Sequence, residues 1–560
     1  MLRKVRPLAI VCLLVVSSVA GAAPVRPKLV VLISIDQFRA DYLMRFDDLF
    51  LPPVAAKGGT VGGFRYLMEK GAYNTDAHHD HFPLVTGVGH SVHLTGAPPY
   101  KSGIIANDWF DRGLKTPDER YCVSDMSSPL VGAADPDGKL GVSPATLRVS
   151  TVGDELKMAT GGQAKIWAVA TKDRAAVLMA GHLADGVLWL DDQTGAWISS
   201  RYYRKDGTLP TWVSDWNAAK KVDAFFGKNW ELSVSPAALK RLWTPDNASV
   251  GPRPGLGTTF PHPVTGGLEQ PGPAFYGAFL STPFSNGYTL DTAEEIVRQE
   301  KLGQDAIPDL LAINLSANDY IGHGFGPDSA EVLDVAVQTD LRLSRFFNFL
   351  AKSVQGGLAN VTIVVTADHG VAPIITELQK AGFNAGATQV TKDGLQKAIA
   401  AELGPGDWVQ AVVDDNVYLN LQTIAAKKVS YTRTEDVAAG YLREQPGIYA
   451  VYTRSQLLDG QMLPNDISQR VARSFHPHVS GELVMVSDPY WVPGRTTGAT
   501  HGTPYAYDTS VPLLLAGAGI KPGRYTQRVS TLDIAPTLSD LLGILQPSGC
   551  EGHVLSQALK

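Results

Sequence analysis

Five short apolar runs, rich in β-branched residues, constrain the fold of this chain more than any other feature of its sequence. They lie at 29–35 (LVVLISI), 165–170 (KIWAVA), 310–315 (LLAINL), 361–366 (VTIVVT) and 512–516 (PLLLA). Runs of this length without polar alternation are typical of parallel strands that are buried on both faces of a sheet. The sequence therefore predicts five buried parallel strands.

Helical patterns lie between these runs. One is DTAEEIVRQE, which we predict to begin at Asp291 because an Asp followed three residues later by Glu294 is typical of a helix start. A longer pattern, SAEVLDVAVQTDLRLSRFFNFL, begins at Ser329. Alternating strands and helices predict an α/β fold in which a mainly parallel sheet is sandwiched by helices.

Two regions differ in composition from the rest of the chain, and we interpret them as inserted, cap-like segments. Residues 185–290 hold six of the ten tryptophans and a stretch rich in Gly and Pro, VGPRPGLGTTFPHPVTGG. We expect these aromatic side chains to form a secondary core rather than a flat platform for a ligand. Residues 371–480 are the second predicted insertion.

The first 23 residues, MLRKVRPLAIVCLLVVSSVAGAA, have the pattern of a secretory signal peptide: basic residues, an apolar run and then small residues. The apolar run is shorter than the ~20 residues that a membrane span needs. We therefore expect an exported protein without a membrane span, with one catalytic domain over residues 24–560. Export would leave Cys122 and Cys550, for which a single pairing stays open.

Charge and composition exclude some functions. The 560-residue chain has a formal net charge of −6 and no basic run, which argues against binding to nucleic acid. Hydrophobic residues make up 44% of the chain, as in ordinary globular proteins.

Reactive side chains follow four of the five predicted strands. They are Asp36 after the first strand, Lys172 and Arg174 after the second, Asp319 and His323 after the third, and Asp368 and His369 after the fourth. In open α/β sheets, ligands bind outside the carboxyl ends of the strands. Four such coincidences predict one shared site.

The residue types at these strand ends indicate metal binding. Asp319 and His323 are one helical turn apart, so both side chains can face one ion, and His501 in the loop TTGATHGTPYAYD could complete this set. Asp36, Asp368 and His369 form a second predicted set. Mixed Asp and His ligation suits zinc, although the ligand types leave manganese and iron open.

One stretch offers a competing interpretation. HHDHFPLVTGVGHSVHLTG, residues 78–96, contains five of the thirteen histidines and resembles a local metal site. It also contains Thr86, followed by Gly87-Val88-Gly89, where the sequence predicts the start of a helix whose amides and dipole favour negative charge.

Seven segments together resemble the signature motifs of the alkaline phosphatase superfamily, from about residue 28 to the end of the chain. The resemblance is greatest to the bacterial secreted alkaline phosphatases that use a threonine nucleophile, which are related to type I phosphodiesterases and nucleotide pyrophosphatases. The segments are IDQFRADYL, PLVTGVGH, GIIANDW, ATKDRAAVL, NDYIGHGFGPDS, TADHG and HGTPYAYDTSVPLLLAG.

The resemblance implies a role for each matching residue. It makes Thr86 the nucleophile that forms a covalent phosphothreonine, with Asn107, Lys172 and Arg174 holding the phosphoryl oxygens. The lysine stands near where better-studied alkaline phosphatases place a magnesium ion. One zinc ion would be bound by Asp36, Asp368 and His369, and the other by Asp319, His323 and His501.

The implied activity is hydrolysis of small phosphate monoesters, since two cationic groups suit a dianionic phosphoryl group. None of the five histidines of residues 78–96 matches a zinc ligand. We expect them to be structural or to face solvent, with His90 beneath the nucleophile turn.

The residues themselves leave two alternatives open and argue against a third. The first is a phosphodiesterase or nucleotide pyrophosphatase, or a phosphonate hydrolase, on the same two-metal core. The second is an exported metal-binding protein without catalysis, for which Thr86 and Arg174 would have no purpose. The third, a sulfatase, is disfavoured because no Cys-x-Pro-x-Arg sequence is present.

Overall fold

The structure, a computed structural model, describes residues 26–56, 59–134, 140–494 and 497–560. The predicted signal peptide, residues 1–23, lies outside the described residues. Among the helices of the described residues, none has the length and apolar character that crossing a membrane requires.

Strands and helices alternate along most of the chain. The strands are β1 (Leu29–Ile35), β2 (Val54–Ala56), β3 (Gly59–Val61), β4 (Ala72–Asn74), β5 (Ala77–His78), β6 (Asp108–Asp111), β7 (Asp118–Tyr121), β8 (Ser124–Val131), β9 (Gly141–Val142), β10 (Ile166–Ala170), β11 (Gly186–Leu190), β12 (Trp197–Ser200), β13 (Asn229–Trp230), β14 (His262–Pro263), β15 (Asp309–Leu315), β16 (Val361–Thr366), β17 (Gly386–Thr388), β18 (Val409–Val413), β19 (Asn416–Leu419), β20 (Ile448–Thr453), β21 (Leu483–Ser487), β22 (Trp491–Pro493), β23 (Leu513–Gly517), β24 (Gly523–Tyr525) and β25 (Val529–Ser530). The α-helices are α1 (Tyr42–Arg45), α2 (Phe64–Lys70), α3 (Thr86–Thr95), α4 (Pro99–Ser102), α5 (Val152–Ala159), α6 (Asp173–Ala180), α7 (Thr211–Ala218), α8 (Pro273–Leu280), α9 (Pro283–Gln299), α10 (Ala317–Phe325), α11 (Ala330–Ser353), α12 (Ile375–Lys380), α13 (Lys392–Leu403), α14 (Leu421–Lys427), α15 (Tyr431–Arg443), α16 (Arg454–Leu458), α17 (Asp466–Ser474), α18 (Ala506–Thr509) and α19 (Ile534–Leu542).

In the described part of the chain, eleven strands form a central sheet in the order β24-β4-β23-β16-β1-β15-β10-β11-β12-β8-β9. Its middle is parallel: β1 pairs with β15 from Leu29↔Asp309 to Ile35↔Leu315, and also with β16, and β10 follows beyond β15. The carboxyl ends of these four strands therefore lie side by side at one edge of the sheet.

All five apolar runs form strands, but the direction of the last one differs from the prediction. β23 runs antiparallel to β16, with Val365 opposite Leu514, so the central sheet is mixed. A run that is buried on both faces carries the same pattern in either direction, and the sequence of LLLAG therefore contains no signal for its orientation.

The sheet separates two hydrophobic cores, and β1 contributes to both. Leu29, Val31, Ile33 and Ile35 face one core, which includes α9 and α11, whereas Val30 and Leu32 face the other, which includes α5, α6 and α19. Burial on both faces explains why the run contains no alternation of polar residues.

The two predicted helices are present, but one begins earlier than expected. The prediction for Ser329 is confirmed, because its side chain accepts a 3.1 Å hydrogen bond from Val332 N at the start of α11. The predicted start at Asp291 is wrong: α9 begins at Pro283, in the first-turn position that proline favours. Asp291 and Glu294 belong to a helix that is already under way.

Four tryptophans of residues 185–290 pack into or against the core that includes α9 and α11, whereas Trp189 packs into the core on the other face of the sheet and Trp243 is exposed; β11 and β12 of this region join the central sheet. Trp197 is fully buried and stacks on Tyr288 with ring centroids 5.4 Å apart, and Trp230 Nε1 donates a 2.7 Å hydrogen bond to Asp334 Oδ2. These contacts are structural.

Residues 371–480 contain most of a smaller sheet. Its order is β18-β19-β21-β20, and α13 and α15 cover it with a separate core that includes Trp408 and Leu442. β21 extends the sheet to Ser487, past the predicted boundary at residue 480.

The two cysteines of the described residues are both free. Cys122 Sγ lies beside Gly87 and Cys550 Sγ lies beside Gly96. These glycines are at opposite ends of α3, nine residues or about 13 Å apart along the helix axis. The open possibility of a disulfide is therefore excluded in this conformation.

Candidate active site

The edge where the parallel strands end brings the predicted site residues together. A cavity of about 340 Å³ opens there. Six of the ten predicted residues line it: Thr86, Asn107, Arg174, Asp319, His323 and His501. The other four, Asp36, Lys172, Asp368 and His369, are buried.

The first predicted ligand set follows β1 and β16. His369 Nε2 lies 3.2 Å from Asp368 Oδ2 and 3.6 Å from Asp36 Oδ1. His369 Nε2 and Asp36 Oδ1 are buried and form no hydrogen bond with any described residue. Buried polar atoms without partners are costly, and a bound cation would satisfy both of them. The groups whose ligand atoms lie within 4.8 Å of one another here are Asp36 with His90 and Asp368, and Asp36 with Asp319 and His369, so the structure brings Asp36 close to each of the other two predicted ligands but does not gather the predicted set into one group.

The second predicted set combines α10 with the loop before α18. His323 Nε2 lies 3.2 Å from Asp319 Oδ1, and His501 Nε2 lies 3.8 Å from the same oxygen. One ligand atom from each of the three residues falls within 4.8 Å of the others. The helical spacing of Asp319 and His323 thus brings both side chains to one point, and His501 joins them from a distant part of the chain.

Each imidazole of the two sets is oriented by the backbone. A histidine whose Nδ1 donates to a carbonyl keeps the lone pair of Nε2 for a metal ion. All three have this arrangement: His323 Nδ1 bonds Ala499 O at 2.8 Å, His369 Nδ1 bonds Gly370 O at 2.9 Å, and His501 Nδ1 bonds Leu84 O at 2.7 Å.

Lys172 lies between the two sets. Its Nζ is 2.8 Å from Asp36 Oδ2 and 2.6 Å from Asp319 Oδ2. Burial alone would lower the pKa of Lys172, but Asp319 and Asp36 raise it overall, so the ammonium stays charged. Burial and the nearby Asp368 carboxylate raise the pKa of Asp36. One lysine does not neutralise three carboxylates, which favours binding of further cations.

Thr86 is the first residue of α3 and is buried at the wall of the cavity. Arg174 Nη2 lies 3.5 Å from Thr86 Oγ1, and Arg174 Nη1 donates to Tyr121 OH at 3.3 Å. Asn107 Oδ1 accepts a 2.8 Å hydrogen bond from Gly87 N, which directs the Asn107 amide group as a donor. A hydroxyl, a guanidinium and an amide donor therefore surround one end of the cavity.

With the exception of the half-buried His78, the histidines of residues 78–96 lie out of contact with solvent. His90 Nε2 faces Asn314 Nδ2 at 2.9 Å, and its Nδ1 lies 2.8 Å from Thr86 O and 3.2 Å from Asp368 Oδ2. Nδ1 therefore carries the proton, and His90 contacts both the turn at Thr86 and Asp368; with Asp36 and Asp368 it also belongs to a group that could hold a metal ion. Burial lowers the pKa of His79 to about 4 and keeps it neutral.

Sequence reasoning missed several residues at the site. Gln37, next to Asp36 and with a positive φ of 62°, donates from Nε2 to Asp319 Oδ1 at 2.7 Å and from its backbone N to Asp368 Oδ1 at 3.1 Å. It thus links the two ligand sets. Asp414 and Asp415, in the turn between β18 and β19, also line the cavity. Only the position of Gln37 at a strand end could have indicated its role.

The fold and these side chains define a member of the alkaline phosphatase superfamily. The chain matches the type I phosphodiesterase / nucleotide pyrophosphatase family over residues 30–507 and belongs to that family.

Two relatives match nearly the full length. Alkaline phosphatase PhoV of Synechococcus elongatus is 35% identical over 544 residues, which cover 96% of this chain and 93% of the relative. Alkaline phosphatase PafA of Elizabethkingia meningoseptica is 34% identical over 553 residues, covering 98% of each. The crystal structure of wild-type PafA superposes with a TM-score of 0.85 at 31% identity, covering 96% of this chain and all of that one. A PafA variant in which a threonine, an asparagine, a lysine and an arginine are replaced superposes with a TM-score of 0.87 at the same identity and coverage.

Proposed function

We propose that this protein is an alkaline phosphatase that hydrolyses small phosphate monoesters through a covalent phosphothreonine at Thr86. The observation that carries the proposal is the position of Thr86 Oγ1, 3.5 Å from Arg174 Nη2 in a cavity that also contains the Asp319 set. Relatives named alkaline phosphatase, at 34–35% identity over nearly the whole chain, support it.

The PafA variant gives further support for the site residues. In that variant a threonine, an asparagine, a lysine and an arginine are replaced, in that order along the chain. This chain supplies the same four types in the same order, as Thr86, Asn107, Lys172 and Arg174.

We assign one zinc ion to each ligand set, the first to Asp36, Asp368 and His369 and the second to Asp319, His323 and His501. The buried atoms of Asp36 and His369 without partners support the first assignment, and the convergence of Asp319, His323 and His501 supports the second. When bound, zinc stabilises negative charge on oxygen and lowers the pKa of water or a hydroxyl.

The proposed reaction consists of two displacements at phosphorus. Thr86 Oγ gives up its proton and attacks phosphorus, the bond from phosphorus to the ester oxygen breaks, and that oxygen leaves with the electron pair and takes up a proton. Water then attacks the phosphothreonine, and the bond from phosphorus to Thr86 Oγ breaks, so that inorganic phosphate and the free hydroxyl form. Arg174, Lys172 and Asn107 hold the non-bridging oxygens through charge-assisted hydrogen bonds.

Charge favours monoesters over diesters. The phosphoryl group of a monoester carries two negative charges, and Lys172 and Arg174 offer two positive charges that stay ionised because neighbouring groups raise the pKa of each above its ordinary value despite burial. A diester carries one charge and a second organic substituent. The alternative activity, on diesters, nucleotide pyrophosphates or phosphonates, would leave one of these cations unmatched.

The rate on an aryl phosphate, compared with that on a bis-aryl phosphate, tests the proposal on purified, zinc-loaded protein. We expect the monoester to react faster, and a faster diester rate would reverse the assignment. Zinc content by elemental analysis belongs to the same experiment. No hydrolysis of either ester at pH 8 to 10 would leave only a metal-binding protein.

We further propose export to the periplasm or medium after removal of residues 1–23, on the basis of their sequence alone. The intact mass of the protein from its natural host tests this. A mass that corresponds to a chain starting near Pro24 is expected, and a full-length chain in the cytoplasm would contradict the proposal.

A further inference from the structure

A second charged cavity lies beside the segment that leads to Thr86. Its volume is about 260 Å³, and six residues line it: Asp80, Asp466, Gln469, Arg470, Arg473 and Arg528. None of these six lines the cavity at Thr86. We call this second cavity the arginine pocket.

The arginine pocket is assembled from three parts of the chain. Asp466, Gln469, Arg470 and Arg473 have the spacing that places side chains on one face of α17. Asp80 follows β5, and Arg528 precedes β25, the strand that pairs with β5. Three arginines against two aspartates leave the lining with a net charge of +1.

The ion pairs inside the pocket are long. Asp80 lies 3.6 Å from both Arg473 and Arg528, and Asp466 lies 3.9 Å from Arg528 and 4.0 Å from Arg470. Closed pairs elsewhere in the molecule are shorter, such as Arg45 with Asp328 at 2.8 Å and Arg112 with Glu482 at 2.7 Å. The guanidinium groups therefore approach the carboxylates without closing on them, and their N–H groups converge on the pocket.

Arg470 is the buried member of the group, with 7% of its surface exposed. Its Nε donates to His79 O at 3.3 Å, which fixes the side chain in place. Burial lowers the pKa of Arg470, Asp80 and Asp466 raise it, and Arg528 and Arg473 lower it, with a net shift downward. The two carboxylates of the pocket therefore do not offset the burial of this guanidinium and the neighbouring positive charges.

We propose that the arginine pocket binds a small tetrahedral oxyanion of the phosphate type. The planar guanidinium group donates two hydrogen bonds at once to a pair of phosphate oxygens, and three guanidinium groups that line one cavity suit a dianion. Asp466, whose side chain is 70% exposed, lies at the rim and can turn toward solvent when the anion enters. Inorganic phosphate is the ligand of this type that the proposed reaction releases, although the pocket itself does not depend on that reaction.

Occupancy of the pocket would also stiffen the segment that precedes Thr86. Besides the bond from Arg470 to His79 O, Phe82 N donates to Ser474 Oγ at 2.8 Å, so α17 holds this segment at two points. An anion that joins Arg470 and Arg473 to Arg528 would fix α17 relative to β25.

Titration calorimetry with inorganic phosphate on zinc-loaded protein tests the proposal. The Arg473→Gln/Arg528→Gln double variant removes two exposed guanidinium groups and keeps the buried Arg470. We therefore expect the variant to fold, and its thermal midpoint checks this. Besides binding at the proposed active site, we expect a phosphate site in the wild type that this variant weakens at least about tenfold. The Arg433→Gln variant, which changes an exposed arginine on α15 outside the pocket, should bind as the wild type does.

An Arg174→Gln variant separates this site from the proposed active site. Loss of phosphate binding in Arg174→Gln, together with unchanged binding in the double variant, would overturn the arginine pocket and leave the proposed function intact. Loss only in the double variant would support the pocket even if the active-site assignment failed. Two sites in the wild type, each lost in one variant, would support both.

Discussion

At the scale of single residues, the site depends on a hydroxyl that has little reactivity of its own. Thr86 Oγ1 is buried at the start of a helix and lies beside Arg174, which is itself held by Tyr121. A free threonine hydroxyl is a weak nucleophile near neutral pH, so its surroundings must stabilise the alkoxide. Helix amides and the adjacent cation act in that direction.

Replacement of Thr86 tests this role. Thr86→Ala should lower kcat toward an aryl phosphate by at least ~1,000-fold, as expected for loss of a covalent nucleophile. Zinc content and the thermal midpoint should stay unchanged, because Thr86 belongs to neither ligand set. Thr86→Ser, which keeps the hydroxyl, is the matched control and should retain much of the activity. Equal activity of the alanine variant and the wild type would refute the assignment.

Gln37 is a positioning residue whose effect should appear in metal affinity. Gln37→Ala removes the 2.7 Å hydrogen bond to Asp319 Oδ1. Because alanine and glutamine have the same backbone strain at a positive φ, the variant reports the loss of the side-chain amide alone. We expect zinc affinity, measured by competition with a chelator, to fall ~10–100-fold. Gln299→Ala, at the exposed end of α9, should have no effect. Zinc affinity equal to that of the wild type would show that Gln37 only fills space.

At the scale of elements, the contact between α3 and the end of β16 determines where Thr86, the proposed nucleophile, lies relative to the proposed metal ligands. A Cβ on Gly89 would lie 2.2 Å from Asp368 O, so only glycine allows α3 to come this close. His90, the next residue, then reaches Asp368 Oδ2 at 3.2 Å. The helix that contains Thr86 is therefore packed directly against the strand end that carries Asp368.

This close approach predicts opposite outcomes for two helical glycines. Gly89→Ala must displace α3 from β16, and we expect it to lower the stability by about 1–3 kcal/mol and the activity by at least about tenfold. Gly440→Ala in α15, where a Cβ would meet no atom within 4 Å, should raise stability by roughly 0.5–1 kcal/mol and leave activity unchanged. Thermal unfolding and steady-state kinetics measure both. An active, stable Gly89→Ala variant would show that α3 can shift without consequence.

At the scale of the whole molecule, the sequence predicted which residues lie close together wherever those residues follow the end of a strand. Asp36, Asp319 and Asp368 follow parallel neighbours, so the sheet alone places them side by side. The sequence could not predict contacts that depend on long-range packing. Examples are the direction of β23 and the approach of Arg473 to Asp80, which are separated by almost 400 positions. Neither the direction of β23 nor the approach of Arg473 to Asp80 is indicated by a pattern in the neighbouring sequence.

Metal removal should loosen the molecule because the two ligand sets join β1, α10, the end of β16 and the loop of His501, which are distant in sequence. Without cations, Asp36, Asp319 and Asp368 share one lysine, and their mutual repulsion opposes the folded state. Treatment with a chelator should therefore lower the thermal midpoint, and zinc should restore it. Binding at 100 times the dissociation constant contributes about 2.7 kcal/mol for each site. Magnesium, which prefers oxygen ligands in an octahedral arrangement, should restore less. If calorimetry found the same midpoint with and without zinc, the two Asp/His sets would not be the metal sites that we propose.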